Sequence, residues 1–243
     1  MHLDSTLLRR ALFAFILIAT SSLSPGAYAQ AAWTIETDSS SNTLVQVDLE
    51  FFAKTPVGPI GLSTINGMTR GPGGDLYLVA PSLDGFFARS LYRLDANSLD
   101  LEEIGDLGLP DPPAVSALTV LPDGRLLMSG DAGGLELLYQ IDPGTGRATV
   151  IGETSKRLWS LVATPDRVYA GAVDSTGSYG LYEVDPATAD VLFLFSLPDR
   201  ILAGRNAMDA GFDGLLYHWS TIVVGSPPFR VEDAAVIDPA TGD

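Results

Sequence analysis

The strongest constraint on the fold of this chain is a strand–turn–strand segment, LYQIDPGTGRATVIG, that recurs along it. The segment spans Leu138–Gly152, and its apolar and polar residues alternate on both sides of a polar centre, which is typical of half-buried strands. Asp142 can accept hydrogen bonds from backbone groups two residues further on, and Pro143 presets φ for the turn. Gly146 allows the positive φ that a short hairpin loop needs at its exit. The segment therefore predicts a β-hairpin.

Weaker copies of this hairpin recur at a spacing that indicates a β-propeller. The turn aspartates are Asp48, Asp95, Asp142, Asp185 and Asp238, so successive copies lie 47, 47, 43 and 53 residues apart. A repeat of this length that is made of strands is typical of propeller blades, whereas solenoid repeats of similar length are helical. We expect an all-β fold, a β-propeller of four-stranded antiparallel blades with about 43–53 residues per repeat. The intact protein is expected to have five or more blades.

Each full repeat has two further strands before the hairpin. Inner strands are predicted at Asn66–Arg70, Ser116–Leu121, Leu158–Ala163 and Asn206–Ala210, and second strands at Leu76–Ala80, Arg125–Ser129, Arg167–Ala172 and Leu215–Ser220. The first repeat is predicted to supply only the last two strands of a blade, Thr43–Asp48 and Phe51–Pro56. Because the last repeat stops just after its Asp-Pro-Ala-Thr-Gly turn, we expect the propeller domain, residues 43–243, to be incomplete at its C-terminus.

The N-terminal segment, residues 1–29, has the features of a secretory signal. Arg9 and Arg10 precede the apolar run Ala11–Thr20, and Ala27-Tyr28-Ala29 fits the small-x-small cleavage rule. The run is shorter than the ~20 residues that a membrane-spanning helix needs. We predict cleavage near Ala29–Gln30, a secreted or periplasmic location, and no membrane span in the mature chain. Residues 30–42 are predicted to form a polar lead, in which Trp33–Thr37 is a candidate strand.

The composition of the mature chain excludes several classes of partner and chemistry. Once residues 1–29 are removed, 12 basic and 29 acidic residues remain, for a net charge of −17. Such a balance repels nucleic acid and anionic membrane surfaces. The absence of cysteine excludes disulfides, thiolate metal sites and cysteine nucleophiles. We expect no nucleic-acid partner, and a monomer.

The repeat resembles a family of exported bacterial β-propellers whose blades read roughly Leu-Tyr, then Leu-Tyr-x-Ile-Asp-Pro-x-Thr-Gly. The matching residues are Leu76-Tyr77, Leu91-Tyr92, Leu138–Gly146, Leu181–Thr188 and Val236–Gly242. The resemblance covers nearly all of the mature chain. It implies the propeller fold and export, and it implies no particular activity, because many such proteins have no assigned function.

Two sets of residues are candidates for a site, because the inner strand of each propeller blade lines the central channel. The first set lies at the channel mouth and comprises Asn66, Ser116, Trp159, Arg205 and Asn206. The second set stands between the second and third strands of successive blades and comprises Asp84, Asp131 and Asp174. A ring of three carboxylates could hold Ca²⁺ or Mg²⁺. Their spacing of 47 and 43 residues equals that of the turn aspartates, so a turn-capping role is the alternative.

Residues that could carry catalysis are scarce. His218 is the one histidine after residue 29, and no Gly-x-Ser-x-Gly motif occurs. We therefore expect an exported, non-catalytic binding or scaffold protein without a cofactor, which presents a loop face to a protein or glycan partner. The alternative is a divalent-metal-dependent, lactonase- or esterase-like propeller hydrolase, with Asn66, Asn206 and Asp131 around a cation such as Ca²⁺.

Overall fold

The described residues form five antiparallel β-sheets, four of them with four strands and the last with three. The computed structural model describes residues 16–19, 31–37, 42–48, 53–82, 85–109, 114–173, 179–197, 206–210, 215–224 and 229–242. All the helices and strands assigned within these ranges are β-strands, and none is a helix. The all-β class and the blades of four antiparallel strands that the repeat predicted are confirmed.

The strands of each sheet follow one another in chain order. The first sheet contains β1 (Ile16–Ala19), β2 (Ala31–Thr37), β3 (Asn42–Asp48) and β4 (Lys54–Pro59). The second contains β5 (Gly67–Arg70), β6 (Leu76–Ser82), β7 (Gly85–Leu94) and β8 (Leu101–Asp106). The third contains β9 (Ala114–Val120), β10 (Leu126–Ala132), β11 (Leu135–Ile141) and β12 (Ala148–Glu153). The fourth contains β13 (Arg157–Ala163), β14 (Val168–Val173), β15 (Tyr179–Val184) and β16 (Val191–Ser196). The fifth contains β17 (Asn206–Ala210), β18 (Leu216–Val224) and β19 (Phe229–Ile237).

The sheets are arranged as propeller blades around their first strands. Strand β9 contacts both β5 and β13, β13 contacts β17, and β1 lies against β5 and β17. The inner strands of neighbouring blades therefore stand side by side around a common axis. Their ends form the two faces on which a propeller can carry a site.

The core lies between neighbouring blades rather than at the axis alone. One cluster joins Ile35 and Leu44 of the first sheet to Leu76, Leu78 and Tyr92 of the second, all of them fully buried. Full burial of such a side chain contributes roughly 1.5–3 kcal/mol. The outer strands β8, β12 and β16 are more open. Each has three exposed and three half-buried residues, in the same order along the strand. Each blade is therefore stabilised mainly by its neighbours.

The predicted turns form as their residue types require. Asp142 Oδ1 accepts a hydrogen bond from the Gly144 amide at 2.8 Å, and the Gly146 amide donates to the Asp142 carbonyl at 2.9 Å. Gly146 has a φ of +75°. The two residues that replace this glycine in neighbouring blades, Leu99 and Ala189, keep the conformation with φ of 62° and 68°. The turn geometry is thus retained even where the side chain disfavours it.

The first sheet differs from the sequence-based expectation. It is not short of its two inner strands, because β2 runs along the whole of β3 and β1 pairs with Ala31–Thr34. The candidate strand at Trp33–Thr37 forms as part of β2, and β1 lies inside the segment predicted as a signal. Strand β4 is described from Lys54 to Pro59, and just before it the Asp48 amide donates to the Ala53 carbonyl at 2.9 Å. Phe51, at which this strand was predicted to begin, lies outside the described residues. Cleavage of residues 1–29 stays a prediction.

The described part of the chain contains no helix of the length and hydropathy that a membrane span requires.

Candidate functional site

Two of the predicted channel-mouth residues lie at β-bulges of the inner strands. Ser129 pairs with Ala117 and Gly130 with Val115, so Ser116 is the extra residue of β9. Trp159 holds the same place in β13, between Leu158 and Ser160, which pair with successive residues of β14. A bulge re-aims the side chain of the extra residue, and bulges are common beside binding and active sites. Ser116 and Trp159 are thereby turned out of the regular alternation of their strands.

Asn66 stands at the corresponding end of the second sheet. Its amide donates to the Val79 carbonyl at 2.8 Å, while Gly67, the first residue of β5, pairs with the same Val79. Asn66 Oδ1 and Trp159 Nε1 are both buried, and neither has a hydrogen-bond partner among the described residues. The Arg157 guanidinium lies over the Trp159 ring, 4.3 Å from its centroid, a cation–π contact. The channel mouth therefore carries both a free acceptor and a free donor.

Glu136, which the repeat pattern did not single out, lies close to Ser116 and Arg157 in this region. It is the second residue of β11, and its backbone carbonyl accepts hydrogen bonds from the Thr154 amide at 2.9 Å and the Thr154 hydroxyl at 3.2 Å. The residue is only 8% exposed. Neither carboxyl oxygen has a hydrogen bond of regular geometry to the described residues. The backbone of Glu136 is thus held by two hydrogen bonds, whereas its carboxyl receives none of regular geometry from the described residues.

The surroundings of the Glu136 carboxyl oppose its ionisation. Burial raises the pKa of Glu136 from 4.5 to about 7, because it removes water from the charged form. The positive charge of Arg157 lowers the pKa, as do the nearby Ser116 hydroxyl and Leu158 amide, and the carboxylate of Asp131 raises it. Asp131 is the register partner of Glu136 across the β10–β11 hairpin. The carboxyl therefore changes protonation close to neutral pH.

The same position is occupied by different residues in the other blades. The equivalents of Glu136 are Asn42, Arg89 and Tyr179. In each blade the backbone carbonyl of this residue accepts a hydrogen bond from the amide of the residue that directly follows the outer strand. The Asn42 amide donates to the Leu62 carbonyl at 2.6 Å. A side chain at Gly171 would meet the Tyr179 hydroxyl, so that hydroxyl fills the space beside the glycine. Asn42 and Tyr179 are thus built into the packing of their blades, and Glu136 is not.

The aspartates predicted as a carboxylate ring are described only in part. Asp131 Oδ1 accepts a hydrogen bond from the Gly134 amide at 3.0 Å, the turn-capping contact expected of the alternative role. Asp84 and Asp174 lie outside the described residues, as does Arg205, and Asn206 is described only as the first backbone position of β17. Within the described residues no three acidic or histidine side chains are grouped as a metal site requires. A cation at Asp131 stays a prediction, and Glu136, the register partner of Asp131, is the carboxyl that could join it as a ligand.

The signal for Glu136 was present in the sequence. Six residues before the turn aspartates stand Asn42, Arg89, Glu136 and Tyr179, all polar or amphipathic residues at the start of an apolar strand. Comparing the blades at that offset would have found the position. The bulges had no such signal, because one extra residue in a strand changes the pairing without changing the residue types.

A second concavity lies at the opposite end of the third and fourth blades. It encloses about 660 Å³ and is lined by the turns at Asp123, Asp166 and Asp185. Its two arginines are each paired with a carboxylate in the same groove, Arg125 with Asp123 at 2.7 Å and Arg167 with Glu183 at 3.0 Å. Both arginines of this groove are thus paired with carboxylates, whereas the Glu136 carboxyl at the channel mouth has no ion pair of this kind among the described residues.

Comparison with known proteins supports the fold and does not extend to a family. No known family matches the chain, and no curated protein does. Among solved structures, TolB from Acinetobacter baumannii is similar with a TM-score of 0.53 and 16% identity, over 86% of this chain and 53% of that one. An engineered GH43 glycoside hydrolase with endo-xylanase and exo-arabinofuranosidase activity gives a TM-score of 0.60 and 10% identity, over 94% and 51%. Nidogen, in its complex with laminin, gives 0.59 and 13%, over 96% and 78%.

These three neighbours are β-propeller proteins, and they include both binding proteins and a hydrolase. The chain spans about half the length of the TolB and glycoside hydrolase chains. At this level of identity the likeness shows the fold alone. These likenesses therefore do not indicate an activity for this chain.

Proposed function

We propose that the chain is an exported β-propeller binding protein, whose channel mouth at Asn66, Ser116, Glu136 and Trp159 holds a partner protein. The observation that carries this proposal is the Glu136 carboxyl, in a residue only 8% exposed, with no hydrogen bond of regular geometry to either oxygen among the described residues. A buried polar group without a partner costs about 1–3 kcal/mol, and more when it is charged. Such a cost at a site with a free acceptor at Asn66 and a free donor at Trp159 is expected where a ligand completes the hydrogen bonds.

A binding role is favoured by what surrounds the carboxyl. Among the described side chains Glu136 has one acidic neighbour, Asp131, which already caps a turn, and the groups that shift its pKa include no histidine. Nucleophilic catalysis requires a base beside the nucleophile and a group that orients the base. The donors and acceptors of the mouth are instead suited to hold polar groups of a partner. The nidogen propeller, which was solved in complex with laminin, illustrates that this fold can serve a protein partner.

The partner test compares two variants that differ from the native chain by the same loss of charge. Native protein, Glu136→Gln and Glu153→Gln would be immobilised and exposed to an envelope extract, and each retained protein would be purified and titrated. Glu153 is exposed on β12 and serves as the control. We expect a partner whose dissociation constant rises at least tenfold in Glu136→Gln and is unchanged in Glu153→Gln. Equal binding by all three chains would contradict the proposal. Binding to a parallel glycan array, when no protein is retained from the extract, would contradict it too.

Export is part of the proposal and has a separate test. The mass of the protein recovered from the cell envelope should correspond to a chain that begins at Gln30. Recovery of the full-length chain from the cytoplasm alone would contradict it. Cleavage would remove β1 and leave β2 as the inner edge of the first sheet.

A second candidate function, a divalent-metal-dependent lactonase- or esterase-like hydrolase, is favoured by one observation. The pKa of Glu136, about 7, suits a group that takes up and releases a proton near neutral pH, and its carboxylate would supply the acidic ligand for a cation near Asp131 and Asn66. A cation that binds only the folded state at a hundred times its Kd adds ~2.7 kcal/mol to stability. Thermal melts in EDTA and in millimolar Ca²⁺ would therefore differ by several degrees, and the difference would vanish in Asn66→Ala. Identical melts would count against the hydrolase.

A further inference from the structure

The chemistry of the channel mouth defines the group that it receives, and this inference rests on the proposed binding function. We propose that Glu136 and Ser116, with the negative charge of Asp131 beside them, receive the primary ammonium group of a lysine side chain carried by the partner protein.

The unpaired atoms at the centre of the site are acceptors. An ionised carboxylate has no proton to donate, and both oxygens of Glu136 lack a partner of regular geometry within the described residues. The ligand must therefore bring hydrogen-bond donors. Hydrogen bonds from a charged donor to a carboxylate are the stronger kind and suit a site from which water is excluded.

The charges around Glu136 favour a cation over a neutral hydroxyl group. Asp131 faces Glu136 across the hairpin and adds a second negative charge. Arg157 is the positive group nearby, and its guanidinium lies over the Trp159 ring instead of forming an ion pair with Glu136. The two carboxylates thus carry more negative charge than the described residues neutralise. A cationic ligand group would balance it.

The shape and number of the acceptors favour an ammonium group. Calcium takes six to eight oxygen ligands, and no group of three acidic or histidine side chains is present among the described residues. An ammonium has three donors, which match the two oxygens of Glu136 and the hydroxyl of Ser116. A lysine side chain also has a narrow, flexible stem, which can carry its head to a carboxyl that is only 8% exposed.

The blades themselves show that this chemistry belongs to the third blade. At the equivalent position, Asn42 already donates to the Leu62 carbonyl, and Arg89 carries a positive charge. The Tyr179 hydroxyl packs beside Gly171. Among these four blades, only the Glu136 position offers a buried anion to a ligand.

Binding of an ammonium group should be coupled to the release of a proton. The group binds the ionised form of Glu136, whose pKa of about 7 is set by burial, Arg157, Ser116, the Leu158 amide and Asp131. Affinity should therefore be constant well above pH 7 and fall about tenfold for each pH unit below it.

The experiment titrates the full chain with Nα-acetyl-lysine methylamide, and uses the Nε-acetylated compound, which has no charge, as the control ligand. At pH 8 we expect saturable binding of the first compound, at least tenfold weaker binding of the second, and about tenfold weakening of the first at pH 6. Glu136→Gln should lose at least tenfold in affinity, and Glu153→Gln should bind as the native chain does. Unchanged binding by Glu136→Gln would overturn the proposal, as would equal binding of the two compounds.

Two further titrations separate other sources of a cation. If glucosamine binds through Glu136 and the lysine compound does not, the assignment to a lysine side chain is overturned. The same holds if Ca²⁺ from CaCl₂ binds there and the lysine compound does not. The failure of this inference differs from the failure of the proposed function. A partner that still requires Glu136 while the lysine compound does not bind would overturn the inference alone. A partner that ignores Glu136→Gln would overturn the binding function itself.

Discussion

Asn42 in the first blade and Glu136 in the third occupy the same backbone position and differ in what their side chains do. Both carbonyls accept the amide that follows their outer strand, and both residues are buried, at 1% and 8% exposure. The Asn42 side chain donates to the Leu62 carbonyl and ties the first blade to the connection that leads into the second. The Glu136 carboxyl has no such contact among the described residues. Burial of a polar residue at this position therefore does not define its role, whereas its hydrogen bonds do.

The largest expected effect comes from removing the contact of Asn42. In Asn42→Leu the Leu62 carbonyl loses its donor, and an unsatisfied buried group costs about 1–3 kcal/mol. We expect a loss of about 2 kcal/mol in the free energy of unfolding, measured by urea denaturation. Gln46→Leu, at an exposed position of the same strand, should change stability by less than about 0.5 kcal/mol. If Asn42→Leu is as stable as the native chain, the contrast between the two positions fails.

The same kind of change at Glu136 should act in the opposite direction. Glu136→Gln removes a buried charge that has no partner, so we expect it to stabilise the fold by about 1–2 kcal/mol at pH 8. A residue kept for binding often costs the protein stability in this way. Urea denaturation at pH 8 measures the difference, with Glu153→Gln as the control for the loss of charge. Destabilisation by more than about 1 kcal/mol would assign Glu136 a structural role like that of Asn42.

The stability gained in Glu136→Gln should depend on pH. Between pH 4.5, the ordinary pKa of a glutamate, and about 7, the folded chain holds a proton on Glu136 that the unfolded chain has released. Rising pH therefore lowers the stability of the native chain through this window, relative to Glu136→Gln. We expect the two chains to be nearly equal near pH 4.5 and to diverge up to about pH 7 or a little above. A difference that grows instead as the pH falls would mean that the pKa is lowered.

The smallest effect is expected from the charge that faces Glu136. Because Arg157 lowers the pKa of Glu136, Arg157→Gln should raise that pKa further. The stability at pH 8 should fall by no more than about 1 kcal/mol, since Arg157 is exposed to solvent. The pH profile of unfolding measures the shift, and Lys156→Gln, one residue away, should leave it unchanged. A shift to lower pH in Arg157→Gln would contradict the arrangement.

Much of the architecture could be predicted from the sequence because it depends on local chemistry. The hairpin at Asp142 requires an aspartate, a proline and a glycine at fixed spacing, and all three are visible in the repeat. The same rule fails to show that Leu99 and Ala189 adopt positive φ, since that conformation is imposed by the blade and not by the residue. The inner strand β1 was missed because an apolar run after two arginines also has the features of a signal.

The candidate site could be predicted only in outline. Asn66, Ser116 and Trp159 were found because they align at the start of the inner strands. Their re-aimed side chains depend on bulges, which are set by hydrogen bonds between strands. Glu136 was missed because an acidic residue in a strand is usually exposed, and its burial results from packing between two blades. The unpaired state of its carboxyl is a property of the folded chain alone.

The most direct test of this account is the titration of the Glu136 carboxyl by NMR, with ¹³C-labelled glutamate and Glu136→Gln to assign the resonance. We expect a midpoint near pH 7 in the free protein, which moves to lower pH when the lysine compound binds and stabilises the ionised form. A midpoint near 4.5 in the free protein would contradict it, because the carboxyl would then be solvated or already paired.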